Sequence, residues 1–186
     1  YKDMPSNKAN QPIVLSVPIN LRQYYDSYTS RNFFSTMDVP YTFGKNSNEL
    51  EDVIESVKET FQKELTKENL DLHLYRFMSL EKNPIARVIP LPLKDIALKI
   101  ADYFNDRRIT TSISNIGQIK MPPEFSDYIN KFMLSVSARR PKITLSSYKD
   151  NLVISFTSPF ENTDIQRLFF QFLTNNGIDV EITSNF

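Results

Sequence analysis

Strand-length apolar runs alternate with helical stripes along this chain, and that interleaving leaves few folds open. Residues 13–19 read as a first, buried strand, because Ile13, Val14, Leu15 and Val17 crowd into it. Pro18 has no N–H to give a sheet, so this strand is expected to end there or to run along an edge. Residues 33–43 read as a second strand, with Pro40 again pointing to an edge or an irregular end. After a turn at 44–47, Asn46 or Ser47 can cap a helix. Its Leu50, Val53, Ile54, Val57, Phe61 and Leu65 recur at helical spacing. A second helix is expected over 67–80, with Leu70, Leu74, Phe77 and Met78 on one side, and Asn83-Pro84 breaks it. Pro90 and Pro92 introduce a third. There Leu93, Ile96, Ala97, Ile100, Ala101 and Phe104 give the cleanest stripe in the chain.

The pattern then returns to strands. Residues 109–116 form one that closes at Asn115 and Gly117. Phe132, Leu134, Val136 and Ala138 alternate with polar or small residues, which predicts a half-buried strand. The runs 143–148 and 152–156 are joined by Lys149-Asp150-Asn151 and predict an antiparallel hairpin. The last helix is expected over 161–176, burying Ile165, Leu168, Phe169, Phe172 and Leu173, with Asn176-Gly177 as its stop. Ile178, Val180 and Ile182 predict a final short strand. Together these elements describe an α/β two-layer sandwich, a mixed sheet of six or seven strands with about four helices.

Composition narrows the function classes. A length of 186 residues favours one domain, with 1–11 as a polar linker or cut edge and 12–186 as the folded unit. The start at Tyr1, without a methionine, makes a fragment the expectation. Lysine plus arginine equals aspartate plus glutamate at 22 each, so no global basic field draws in nucleic acid. No apolar run nears the ~20 residues that cross a bilayer, and no secretory signal opens the sequence. The absence of cysteine excludes disulfides and thiol catalysis. Three glycines are too few and too scattered for a phosphate-cradling loop. The single histidine, His73, has no second imidazole for a metal site and no adjacent nucleophile, and it reads as a surface residue. No paired carboxylates stand at a strand end, so glycosidase and two-metal chemistry have no support.

Three short motifs carry a resemblance. Pro18-Ile19-Asn20-Leu21-Arg22, followed by a loop and then Arg31-Asn32-Phe33-Phe34, resembles the middle of an alcohol acetyltransferase. Ser114-Asn115-Ile116-Gly117 is similar to that family's Ser-Asn-Leu-Gly step at the end of a strand, and Ile89-Pro90-Leu91-Pro92-Leu93-Lys94 to the proline-punctuated entry of the helix before it. These enzymes belong with condensation domains and chloramphenicol acetyltransferase in the CoA-dependent acyltransferase superfamily. The order and spacing fit over residues 13–180. Only the family's C-terminal half is covered. Its signature, His-His-x-x-x-Asp-Gly, lies in the N-terminal half and has no counterpart here.

The resemblance implies a CoA-dependent acyltransferase half-fold in a cytoplasmic protein. Its partner would be the missing N-terminal half, which supplies the general base. It implies an acyl-CoA or acyl-phosphopantetheine donor, an alcohol or amine acceptor, and no resident cofactor or metal. No catalytic residue is carried over to this chain. Arg22 matches the arginine that holds the aspartate of the missing motif, and a planar guanidinium suits a bidentate carboxylate pair. The competing reading is a solvated arginine after a strand. Asn32, Ser114 and Asn115 match strand-end groups that face the substrate tunnel, where they could bind the acyl carbonyl or the pantetheine arm. Their local alternative is bonding to nearby backbone. Arg107-Arg108, Arg139-Arg140 and Lys142 could meet phosphates or a carrier protein, or could be solvated turns. A half that normally docks on another is also expected to expose an apolar face and to form a homodimer through it. The alternative to an enzyme half is a non-catalytic interaction module of the same fold that pairs with a partner subunit or with itself.

Overall fold

The computed structural model describes residues 10–43, 45–47, 49–84, 88–137 and 139–185. Gly44 and Ala138, named above in a turn and a strand, lie outside these residues, as do residues 1–9 of the linker and the side chain of Phe77. In chain order the elements are β1 (Ile13–Asn20), a 3₁₀ turn (Leu21–Gln23), β2 (Phe34–Tyr41), α1 (Leu50–Glu64), α2 (Lys67–Lys82), α3 (Leu91–Arg108), β3 (Thr111–Gln118), α4 (Pro123–Ser126), β4 (Lys142–Tyr148), β5 (Asn151–Thr157) and α5 (Asp164–Asn175). The strands form a five-stranded mixed sheet in the order β2-β1-β3-β4-β5. The chain divides into two compact units, Tyr1–Ile113 and Ser114–Phe186, and β3 crosses the boundary.

In the first unit β1 pairs antiparallel with β2 over its whole length, from Ile13↔Tyr41 to Asn20↔Phe34. It pairs in parallel with β3 at Leu15↔Thr111 and Ser16↔Ser112. Pro18 does not end β1, which was one of the two outcomes expected, and β1 is not an edge either. The reason lies in the alternation of backbone direction. The Val14 N–H donates to Thr110 Oγ1 at 3.1 Å, and the Val14 carbonyl accepts from the Thr110 N–H at 2.9 Å. Val14, Ser16 and Pro18 therefore all turn their backbone toward β3. The missing N–H of Pro18 falls on that side, leaving the ladder to β2 whole. Pro40 sits opposite Val14, so its own missing donor faces out of the edge strand β2, as expected.

Odd-numbered residues of β1 and their partners on β2 share one face. There Ile19, Leu21, Met37, Val39 and Leu70 form the core, joined by Leu15, Val17, Val57, Phe61, Leu65 and Leu74. The α1–α2 pair thus covers one face of the β1–β2 ribbon. Thr66 caps α2, its Oγ1 accepting from the Asn69 N–H at 3.4 Å, while Asn69 Nδ2 donates to the Lys63 carbonyl at 2.7 Å. α3 behaves differently. Leu93, Ile96, Ile100 and Phe104 of its stripe are exposed, as are Leu91 and Leu98.

In the second unit β4 and β5 form the expected antiparallel hairpin, from Lys142↔Thr157 to Tyr148↔Asn151. Lys149 occupies the turn at φ +52°, where hairpins usually place Gly, Asn or Asp. Its ammonium donates to the Ser126 carbonyl at 2.5 Å and lies over the Tyr148 ring, 5.4 Å from the centroid. α5 packs on β5 through Phe156, whose ring meets Phe169 and Phe170 edge-on at 5.3 and 5.6 Å. α5 ends at Asn175, and two residues on the Gly177 φ of +78° lets the Ile178 N–H reach back to the Leu173 carbonyl at 3.1 Å.

Five strands form among the described residues where six or seven were expected. Residues 132–137 alternate in sequence but do not join the ladder. Instead Ser146 donates its hydroxyl to the Phe132 carbonyl at 3.0 Å, and Phe132 stacks edge-on with Tyr148 at 5.1 Å. Thr144, Ser146 and Tyr148 are the buried side chains of β4, so this segment lies over a sheet face and not beside an edge. Residues 178–182 likewise form no strand, and Glu181 pairs with Lys131 at 3.2 Å.

Candidate functional site

In the first unit the candidate residues gather at the carboxyl end of β1. Ile19 and Leu21 are buried, Leu21 to 1 % exposure, and they pin the chain as it leaves the sheet. Between them Asn20 faces solvent, and its Oδ1 accepts from the Arg22 N–H at 3.1 Å. The Tyr24 and Tyr25 N–H groups then both reach the Leu21 carbonyl, at 3.0 and 2.9 Å, and close the 3₁₀ turn. The loop returns to β2 where the Leu21 N–H meets the Phe33 carbonyl at 3.3 Å. Its ends are adjacent and its backbone is held by bonds within the loop, the organisation of an Ω-loop.

Arg22 is the centre of that loop. Its Nη2 donates to the Thr29 carbonyl at 3.0 Å and to the Arg31 carbonyl at 2.7 Å. Short hydroxyl bonds extend the scaffold. Ser27 Oγ accepts from the Thr29 N–H at 3.3 Å, and Thr29 Oγ1 accepts from the Arg31 N–H at 3.2 Å. Both bidentate modes of a guanidinium use Nη2. A carboxylate approaching Arg22 must therefore displace one of these carbonyls or bind through Nη1 or Nε alone. Asn32 lies exposed beside the Arg31 carbonyl, so Arg22 and Asn32 share one loop.

Tyr25 ties the loop to α2. Its hydroxyl donates to Asp71 Oδ1 at 2.5 Å, and its ring meets Phe33 edge-on at 6.5 Å. The hydrogen bond to Asp71, with desolvation and the carboxylate's charge behind it, pushes the Tyr25 phenol up to about 12. Tyr28 stands at full exposure between Ser27 and Thr29.

Ser114 and Asn115 belong to the second unit. Ser114 is half-buried. Asn115 is exposed, and its Oδ1 accepts from the Gly117 N–H at 2.9 Å, a closure that Gly117 permits with φ at +79°. His73 lies on α2 with Nε2 3.8 Å from Glu64 Oε2, both partly exposed. Arg107 stacks over Tyr103 at 4.3 Å from the ring centroid. Shallow apolar hollows lie around Pro84, one lined by Tyr75, Met78 and Lys82 and one by Val88, Ile89 and Pro90, apart from the candidate residues.

The groups that this geometry offers are hydrogen-bonding and cationic, suited to holding a ligand or a neighbouring chain. Sequence reasoning found Arg22 but missed what it holds. The alternating hydroxyls of Ser27 and Thr29 were the available signal, since such residues bond to nearby backbone. The Tyr25–Asp71 bond joins residues 46 apart and leaves no local pattern to read. No protein-family profile matches the chain, and no curated protein or solved structure matches it.

Proposed function

We propose that this chain is the C-terminal subdomain of a cytoplasmic O-acyltransferase that uses acyl-CoA or a carrier-protein thioester, resembling alcohol acetyltransferases. The observation that carries the reading is the placement of its motifs. Pro18–Arg22 closes β1, Ser114–Gly117 runs from the middle of β3 to one residue short of its end at Gln118, and strand carboxyl ends are where α/β folds place ligands. The mixed sheet with helices is compatible with the half-fold that the resemblance implies.

In this reading a base on the missing half takes the proton of an alcohol or amine. The freed oxygen or nitrogen attacks the thioester carbonyl, the C–S bond breaks, and the thiolate leaves to be protonated. The resemblance gives Asn32, in the first unit, and Ser114 and Asn115, in the second, each the role of a polar group toward the acyl carbonyl or the pantetheine arm. A donor fixed on a developing oxyanion is worth about 3 kcal/mol. Arg22 fixes the partner half's carboxylate, exchanging one carbonyl of its own loop for it. The exposed stripe of α3 favours a second reading, a non-catalytic module that works by pairing with a partner.

Titration calorimetry with acetyl-CoA separates the two. The half-enzyme reading expects weak binding that Asn115→Ala abolishes and Arg22→Ala leaves intact, because the partner of Arg22 is on the other half. No heat at millimolar ligand leaves the interaction module or a site that needs both halves; co-expression with the upstream half decides, and no binding by that pair would sink the half-enzyme reading.

A further inference from the structure

The two edges of the sheet are protected unequally. β2, at one end, carries Asp38 and outward-facing Pro40, both of which discourage pairing with another strand. β5, at the other end, reads Asn151-Leu-Val-Ile-Ser-Phe-Thr157, with no charge, proline or glycine. Among the described residues no strand pairs with its outer side, and Leu152 is 65 % exposed. Such an edge is a template for a further strand.

We propose that β5 pairs with β5 of a second copy, antiparallel about a two-fold axis through Ile154. The sequence of the strand selects this occupant because it is complementary to itself. With Ile154 opposite Ile154, Leu152 of one copy faces Phe156 of the other, Val153 faces Ser155, and Asn151 faces Thr157. Leu152, Ile154 and Phe156 share the face on which α5 packs, so the apolar surface continues across the axis. A register displaced by one residue would set Ile154 against Ser155 and Leu152 against Thr157, turning the apolar face of one copy onto the polar face of the other. A two-fold interface uses one patch twice, so a single unprotected edge is sufficient. The pairing requires no ligand and is independent of the acyltransferase reading.

Sedimentation velocity of the whole chain, from micromolar to sub-millimolar concentration, tests this. The expected result is a reversible dimer that Leu152→Lys weakens about tenfold or more, and that Leu98→Lys, on exposed α3, leaves unchanged. Hydrogen exchange on the unmodified chain gives a second readout that no variant can confuse. The outward-facing amides of β5 should gain protection as concentration rises. A monomer at every concentration overturns the proposal. So does a dimer broken by Leu98→Lys alone, which would put the interface on α3. β5 amides protected at concentrations where the chain sediments as a monomer would mean that the edge is covered within one copy, and they overturn it as well.

Discussion

Leu21→Ala is the perturbation that best probes how the candidate loop is built. Leu21 is 1 % exposed and sits in the core with Ile19, Met37, Val39 and Leu70. It is also the residue from which the Arg22 loop departs. Truncation removes three carbons, and at about 0.8 kcal/mol each the lost transfer energy is ~2.4 kcal/mol. The cavity left behind adds to that, and buried leucines span about 2–5 kcal/mol. A loss of about 3 kcal/mol is therefore expected. With a urea slope of about 1–3 kcal/mol per molar, the midpoint falls by roughly 1–3 M. The assay is urea denaturation followed by far-UV circular dichroism, with an unchanged slope as the sign that compactness is kept. Arg22→Ala is the contrast. The carbonyls that it releases, on Thr29 and Arg31, are exposed to water, so its midpoint should move far less. A Leu21→Ala loss below about 1 kcal/mol at constant slope would refute the claim that a packed side chain anchors this loop.

Two further outcomes follow from named contacts. Tyr25 should titrate near 12, with Asp71→Asn returning it toward its ordinary 10.0. Because the folded value is the higher one, the stabilisation is fully present below pH 10 and is lost as pH rises through 12. Phenolate absorbance of the two chains reads this, and superimposed curves would count against the bond. Thr66→Ala should cost about 1 kcal/mol by removing the α2 cap, and Thr66→Ser should restore most of it. Equal midpoints for the alanine and serine variants would show that the cap contributes nothing.

Apolar runs and stripes located β1, β2, α1 and the β4–β5 hairpin. Periodicity names an apolar side for a helix, yet Leu50 and Ile54 of the α1 stripe are exposed, as are Ile165, Leu168 and Phe172 of the face that α5 was expected to bury. Periodicity does not say what covers that side. The stripe from Leu93 to Phe104 was the clearest in the sequence, yet those side chains are exposed. Nor does alternation distinguish a strand in a ladder from a segment laid over a sheet face. Phe132 alternates with its neighbours and spends its carbonyl on a Ser146 hydroxyl. Pro18 shows a third limit. Whether a proline breaks a strand depends on which neighbour its missing donor faces, and only the Val14–Thr110 pairing reveals that. Of the candidate site, the position of Arg22 was legible because it follows a strand. Its carbonyl partners were not, because loop conformation is set by bonds without a repeat.

The turn at Lys149 has a consequence for the order of folding. A hairpin with Asn-Gly at its tip can close in microseconds from local preference alone. Here the tip holds a lysine at φ +52°, a conformation that disfavours it by about 1–2 kcal/mol. What offsets this is remote: the Ser126 carbonyl lies 23 residues upstream. The turn is therefore a poorer nucleus for the second unit than an Asn-Gly tip. The expected order is that the β4–β5 ladder zips from its open end and the tip settles late, once the Ser126 segment has arrived.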